Sequence, residues 1–136
     1  MNDPPKILVV EYDAMLLASE VLLLRSRSYA ATPAHCISHA SIFLSKLNIA
    51  ALMIGHSVPR DDREKLVALC RHLQPEARIL VLHNSGKEMV ARPDEAVDSR
   101  EGPRLVLNAL DALLADLNKL SARCSTLSPQ AKGKTA

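Results

Sequence analysis

Aromatic side chains are almost missing from this chain. There are two tyrosines (Tyr12, Tyr29), one phenylalanine (Phe43) and no tryptophan, 2% of the residues in all. An aliphatic core is therefore expected, and base-stacking recognition of single-stranded nucleic acid is disfavoured. Cysteine is also sparse: Cys36, Cys70 and Cys124 are scattered, odd in number and never in CxxC spacing, which argues against a disulfide framework. No apolar run reaches bilayer length and no secretory leader pattern opens the chain, so a cytoplasmic location away from the membrane is expected. A net charge of +2 is too small to imply nucleic acid or an anionic surface as partner.

What remains is ordinary for one globular domain: 136 residues, 48% apolar and 24% charged. KILVV (6–10) is a continuous apolar run, as expected of a strand buried on both faces. Asp13 stands where a helix N-cap belongs, and apolar spacing carries that helix to about Arg27. A short β-prone stretch follows, limited by Pro33 to an edge or a strand end. Ala40, Phe43, Leu44 and Leu47 give the second helix its buried face. Ile49 to Ile54 is the second apolar run, ended by Gly55.

Asp61 and Glu64 have capping-box spacing for a third helix, which buries Leu66, Leu69, Cys70 and Leu73 and stops before Pro75. Arg78 to Leu82 is a further strand. Asn84 to Pro93, broken by Gly86 and Pro93, allows a short or irregular helix at most, and Glu95 to Ser99 a weak fifth strand. Pro103 opens the last helix, which carries Val106, Leu110, Leu113, Leu117 and Leu120. Residues 5–120 are expected to form one domain and residues 121–136 a disordered polar, basic tail. Strands alternating with helices predict an α/β fold with a five-stranded parallel sheet and helices on both faces.

Four landmarks in this order resemble a response-regulator receiver domain. KILVVEYD is similar to the family's first strand with its acidic cluster. ALMIGHSVP is similar to the phosphoacceptor strand and loop, where the reactive Asp lies four residues before a Pro. ILVLHN is similar to the strand ending in Thr or Ser, and VDSREGP to the strand ending in Lys. The resemblance implies the flavodoxin-like order 2-1-3-4-5. It also implies phosphorelay signalling, in which Mg²⁺, a hydroxyl and an ammonium stabilise a phosphoryl group on Asp.

Carried over residue by residue, the pattern is depleted. Gly55 takes the phosphoacceptor position. Glu11 keeps the first acid, but Tyr12 replaces the second, with Asp13 after it. His83 stands for the hydroxyl, Arg100 for the Lys and Val97 for the switch aromatic. The resemblance therefore implies a pseudo-receiver that cannot form an aspartyl phosphate, has lost its Mg²⁺ site, needs no cofactor, is not an enzyme and acts through a protein partner. A slip to Asp61 or Asp62 would be needed to restore a carboxylate.

Other readings of the same residues can be weighed against the simpler ones. Gly55 is a vacancy admitting a ligand or a neighbouring loop, a site under relaxed constraint, or a glycine kept for unusual dihedrals. Relaxed constraint is preferred. Glu11, Asp13 and His83 suit a transition metal or a pH switch in a vacated pocket, although a histidine bonded to a carboxylate as local structure is simpler. Arg100 suits an anion, or an internal pair with Glu11 or Asp13, which is preferred. His35, Cys36 and His39 suit zinc or copper if helical, or are loop residues at a helix start. Cys70 is a small core residue. Ser57 beside His56 or His83 is the only nucleophile arrangement, with no elbow motif to frame it. Arg104, Asn108, Asp111, Asp116 and Lys119 give the last helix a mixed-charge solvated face.

Overall fold

The structure, a computed structural model, describes residues 4–83, 94–98 and 102–127. Five parallel strands form one sheet in the order β2-β1-β3-β4-β5. They are β1 (Lys6–Val10), β2 (Ala30–Ala34), β3 (Ala51–Ile54), β4 (Arg78–His83) and β5 (Glu95–Asp98), joined with α1 (Ala14–Ser26), α2 (Ile37–Lys46), α3 (Arg60–Leu73) and α4 (Pro103–Leu127). This is the expected flavodoxin-like arrangement. β2 lies at an edge, where Pro33 is tolerated because its missing N–H breaks no central ladder.

Alternation along the strands divides the core into two layers. Leu8, Val10, Leu52, Ile54, Ile79 and Val81 face α2 and α3, where they meet Ala40, Leu44, Leu66, Val67 and Cys70. Ile7, Val9, Met53, Leu80, Leu82 and Val97 face α1 and α4, against Val21, Leu24, Val106 and Leu110. Both faces are covered, which is why the strands read as unbroken apolar runs instead of alternating ones. Cys70 is fully buried, as its place on the apolar face of α3 implies.

Three boundaries depart from expectation. α3 begins at Arg60 with Pro59 as its N-cap and no side-chain cap bond, so Asp61 lies inside the first turn beside Asp62 and forms no capping box with Glu64. Proline fixes the backbone entry, and two carboxylates at the positive end of the helix dipole take over the electrostatic part of a cap. α4 continues to Leu127, so the first residues of the stretch expected to be a tail are helical. The segment expected to hold a short fourth helix, residues 84–93, lies outside the described residues.

The turn from α1 to β2 is a Schellman motif. The Tyr29 N–H donates to Leu24 O and the Ser28 N–H to Arg25 O. Ser28 takes the left-handed position at φ 68°, where glycine is the usual choice.

Candidate functional site

The carboxyl ends of β1 and β3 meet at Glu11 and Gly55. The parallel register pairs Val10 with Ile54, and the Gly55 N–H donates to Val10 O at 2.8 Å, continuing the ladder one step past both strands. Glu11 has no exposed surface and is the buried charged residue of the described core. Its Oε1 accepts the Ser57 N–H at 3.0 Å and also the Ser57 hydroxyl. Two bonds to one carboxylate oxygen, one of them from the loop backbone, hold the β3–α3 loop against the end of β1.

The carboxylate lies directly over Gly55. A Cβ built on Gly55 would fall on Oε1, Oε2 and the carboxyl carbon of Glu11, well inside the 3.0 Å that real Cβ contacts respect. Among the described glycines only Gly102 has a positive φ, so Gly55 is not required by its backbone angles. A side chain there would force the Glu11 carboxylate to move. The position is therefore neither vacant nor shaped by special dihedrals, because the Glu11 side chain fills it.

A second carboxyl completes the arrangement. Glu11 Oε2 and Glu20 Oε1 are both buried with no donor directed at them. Two ionised carboxylates have no proton to share, and such a pair in a low-dielectric site is costly. Burial, and then the hydrogen bond and charge of Glu11, raise the Glu20 carboxyl far above the ordinary carboxylate range. The raised carboxyl favours a proton on Glu20, which would supply a donor where both oxygens otherwise have none. Glu20 and His56 also line a cavity of about 380 Å³ with Leu16, Leu23, Leu82 and Val106.

Ser57, considered above as a nucleophile, is committed elsewhere. Its hydroxyl donates to Glu11 and accepts the N–H groups of Tyr12 (2.7 Å) and Asp13 (3.1 Å). Asp13 caps α1 as expected, its Oδ1 accepting from Met15 N at 2.9 Å and Leu16 N at 3.1 Å. The Tyr12 hydroxyl donates to Asp62 Oδ2 at 2.7 Å, tying β1 to the first turn of α3. Burial and the Asp62 carboxylate push this phenol well above the usual tyrosine range.

Glu11, Asp13 and His83 are not among the described groups of three or more side chains whose candidate ligand atoms lie together. Among the described residues, the ligand-type side chains that converge are those of His35, Cys36 and His39. Asp13 is engaged in its cap and Glu11 with Ser57. His83 ends β4, half-buried. Val97 is buried against the α4 layer as an ordinary core residue. Arg100 lies outside the described residues. Asp111 keeps a 40% exposed side chain, as a solvated face implies, and also accepts from Arg27 Nη1 at 2.5 Å and from the Tyr29 hydroxyl.

With this geometry in view, solved structures provide a comparison. A receiver domain protein from Methanospirillum hungatei JF-1, described as CheY-like, superposes with a TM-score of 0.76 at 17% identity, covering 85% of this chain and 98% of that one. The fold is the receiver fold. An adenylate cyclase structure from Rhodopirellula baltica matches with a TM-score of 0.78 at 16% identity, over 91% and 97% of the two chains. The receiver domain of a sensor histidine kinase from Pseudomonas aeruginosa PAO1, solved with magnesium in its active-site cleft, matches with a TM-score of 0.74 at 15% identity, over 82% and 98%. No protein-family model matches the sequence, and no curated protein matches it significantly.

The residues that the sequence reading missed are Glu20, which pairs with Glu11, and the structural use of Ser57. Glu20 sits on a helix whose exposed positions include Met15 and Leu22 as well as Ser19 and Arg25, so polarity does not track burial there and nothing in its local pattern marks it. No helix among the described residues is long and apolar enough to cross a membrane.

Proposed function

We propose that the chain is a receiver-like module of phosphorelay-type signalling that works by contact with a protein partner and without aspartyl phosphorylation. The observation that carries this reading is the filled position over Gly55: a carboxylate occupies the space a phosphoacceptor side chain would need. Glycine itself offers no nucleophile, and the neighbouring Ser57 hydroxyl is held by three hydrogen bonds.

A magnesium site is not part of this reading. Mg²⁺ demands near-octahedral oxygen coordination and usually takes one or two carboxylates. Here Glu11 is bonded to Ser57 and faces the protonated Glu20, while Asp13 caps α1. The residues do not fit the ion. A sensor built on open space above Gly55 likewise finds that space taken.

The test is incubation with acetyl phosphate and Mg²⁺, followed by intact mass. No phosphoryl adduct is expected. An adduct that localises to Asp61, Asp62 or any other carboxylate would overturn the proposal.

A further inference from the structure

At the corner between β2 and α2, a second cluster stands apart from the Glu11 site. His35 follows the last residue of β2, Cys36 is the N-cap of α2, and His39 lies in the first turn. Ser, Thr, Asp and Asn are the residues that usually cap helices, because their oxygen accepts an orphan N–H. Cys36 takes the extended cap conformation (φ −156°, ψ 164°), yet its side chain makes no cap bond. The thiol is left available for another use.

The two imidazoles stack with centroids 4.6 Å apart and planes 20° from parallel. One ligand atom from each of the three residues falls within 4.8 Å of the others. Donors around a tetrahedral zinc-class ion, at about 2.0–2.3 Å from the metal, lie about 3.3–3.7 Å from each other. The cluster needs to close by roughly 1 Å. Both histidines are exposed, so rotation about their side-chain torsions supplies that movement without disturbing the core.

We propose that His35, Cys36 and His39 form a three-ligand site for a zinc-class divalent ion. Two imidazoles and a thiolate suit Zn²⁺ and Co²⁺, and exclude Mg²⁺ and Ca²⁺, which require oxygen ligands. Binding replaces the thiol proton by the metal and releases that proton to solvent. The bound thiolate is an anion at the positive end of the α2 dipole. Three protein ligands on an exposed corner leave the fourth position to water or to a donor from another molecule. The site does not depend on the signalling role proposed above.

Titration of the reduced protein with Co²⁺, followed by absorption, tests the site. The expected result is one ion per chain, tetrahedral ligand-field bands and a thiolate-to-cobalt charge-transfer band, all displaced by Zn²⁺. Cys36→Ser should abolish the charge-transfer band while improving the helix cap, so loss of folding does not confuse the result. His35→Ala and His39→Ala should each weaken binding by at least about 10–100-fold, the loss typical even of outer-sphere partners. Absence of the charge-transfer band in the wild type overturns the proposal. So does its survival in Cys36→Ser, which would place the sulfur at Cys70 or Cys124.

Discussion

Replacing Gly55 by alanine should destabilise the protein, although the same change is mildly stabilising at most glycines outside the left-handed region. Reducing the freedom of the unfolded chain ordinarily gains about 0.4–1 kcal/mol. At Gly55 the new methyl would coincide with the Glu11 carboxylate, so that side chain must leave its buried seat. It then gives up the Ser57 amide and hydroxyl, two bonds to a charged acceptor at about 1.5–3 kcal/mol each. The expected net loss is about 2–5 kcal/mol, after subtracting the unfolded-state gain. Denaturant unfolding followed by far-ultraviolet circular dichroism measures it, with Glu11→Ala and the double variant completing a cycle. In the Glu11→Ala background the methyl meets no carboxylate, and Gly55→Ala should become neutral or stabilising. Wild-type stability in Gly55→Ala would refute the packing argument, as would penalties that add within about 0.5 kcal/mol in the double variant.

Two further outcomes follow from the structure. Glu20→Gln should change the pH dependence of stability. The wild-type Glu20 carboxyl is raised in the folded state, so its contribution is whole below the ordinary value near 4.5 and is lost as pH rises, by up to about 1.4 kcal/mol per unit. Gln keeps a donor to Glu11 and has no proton to lose, so its advantage over wild type should grow from about pH 5 to about 8; parallel curves would contradict a protonated Glu20. Ser28→Gly should raise stability by about 1 kcal/mol in thermal or denaturant unfolding, because a left-handed φ costs an L-residue about 1–2 kcal/mol that glycine avoids. A loss would mean that the serine contributes something its backbone angles do not reveal.

How much was legible in the sequence depended on how local the determining interaction was. Strand runs such as Lys6–Val10 and Arg78–His83 announced themselves because burial on both faces requires uninterrupted apolar residues, a property of one short segment. The Asp13 cap was legible for the same reason, since its partners lie two and three residues away. Gln74 was not. It donates to Leu44 O at 2.8 Å and to Leu47 O, and accepts the Ile49 N–H, closing the end of α2 from across the layer. Those partners lie 25 to 30 residues away in sequence, where no pattern signals them. The partners of Asp111 were hidden for a related reason. Its spacing on α4 fitted an exposed face, but Tyr29 and Arg27 approach it from the α1–β2 turn, whose path is set by tertiary packing.

The site itself was half legible. That Glu11 and Gly55 stand side by side follows from aligning two strand ends; that one fills the other's space does not. Yet the two facts are physically one. A side chain at residue 55 and a carboxylate folded in from residue 11 cannot occupy the same volume, so the choice of glycine and the inward turn of Glu11 must be made together. Once Glu11 is inside, its second oxygen needs a donor, and Glu20 supplies one only by staying protonated. Ser57 then fixes the loop, and its hydroxyl is the acceptor for the Tyr12 and Asp13 amides at the start of α1. On the proposed reading, the changes at positions 55 and 12 are thus not independent losses. Converting a phosphoryl site into a packed, protonated carboxyl pair requires an empty Cβ position, a buried proton and a phenol where a metal-binding acid would otherwise repel its neighbours. Gly55 and Tyr12 stand next to the β3 and β1 ends, and Glu20, with its raised carboxyl, reaches Glu11 from α1.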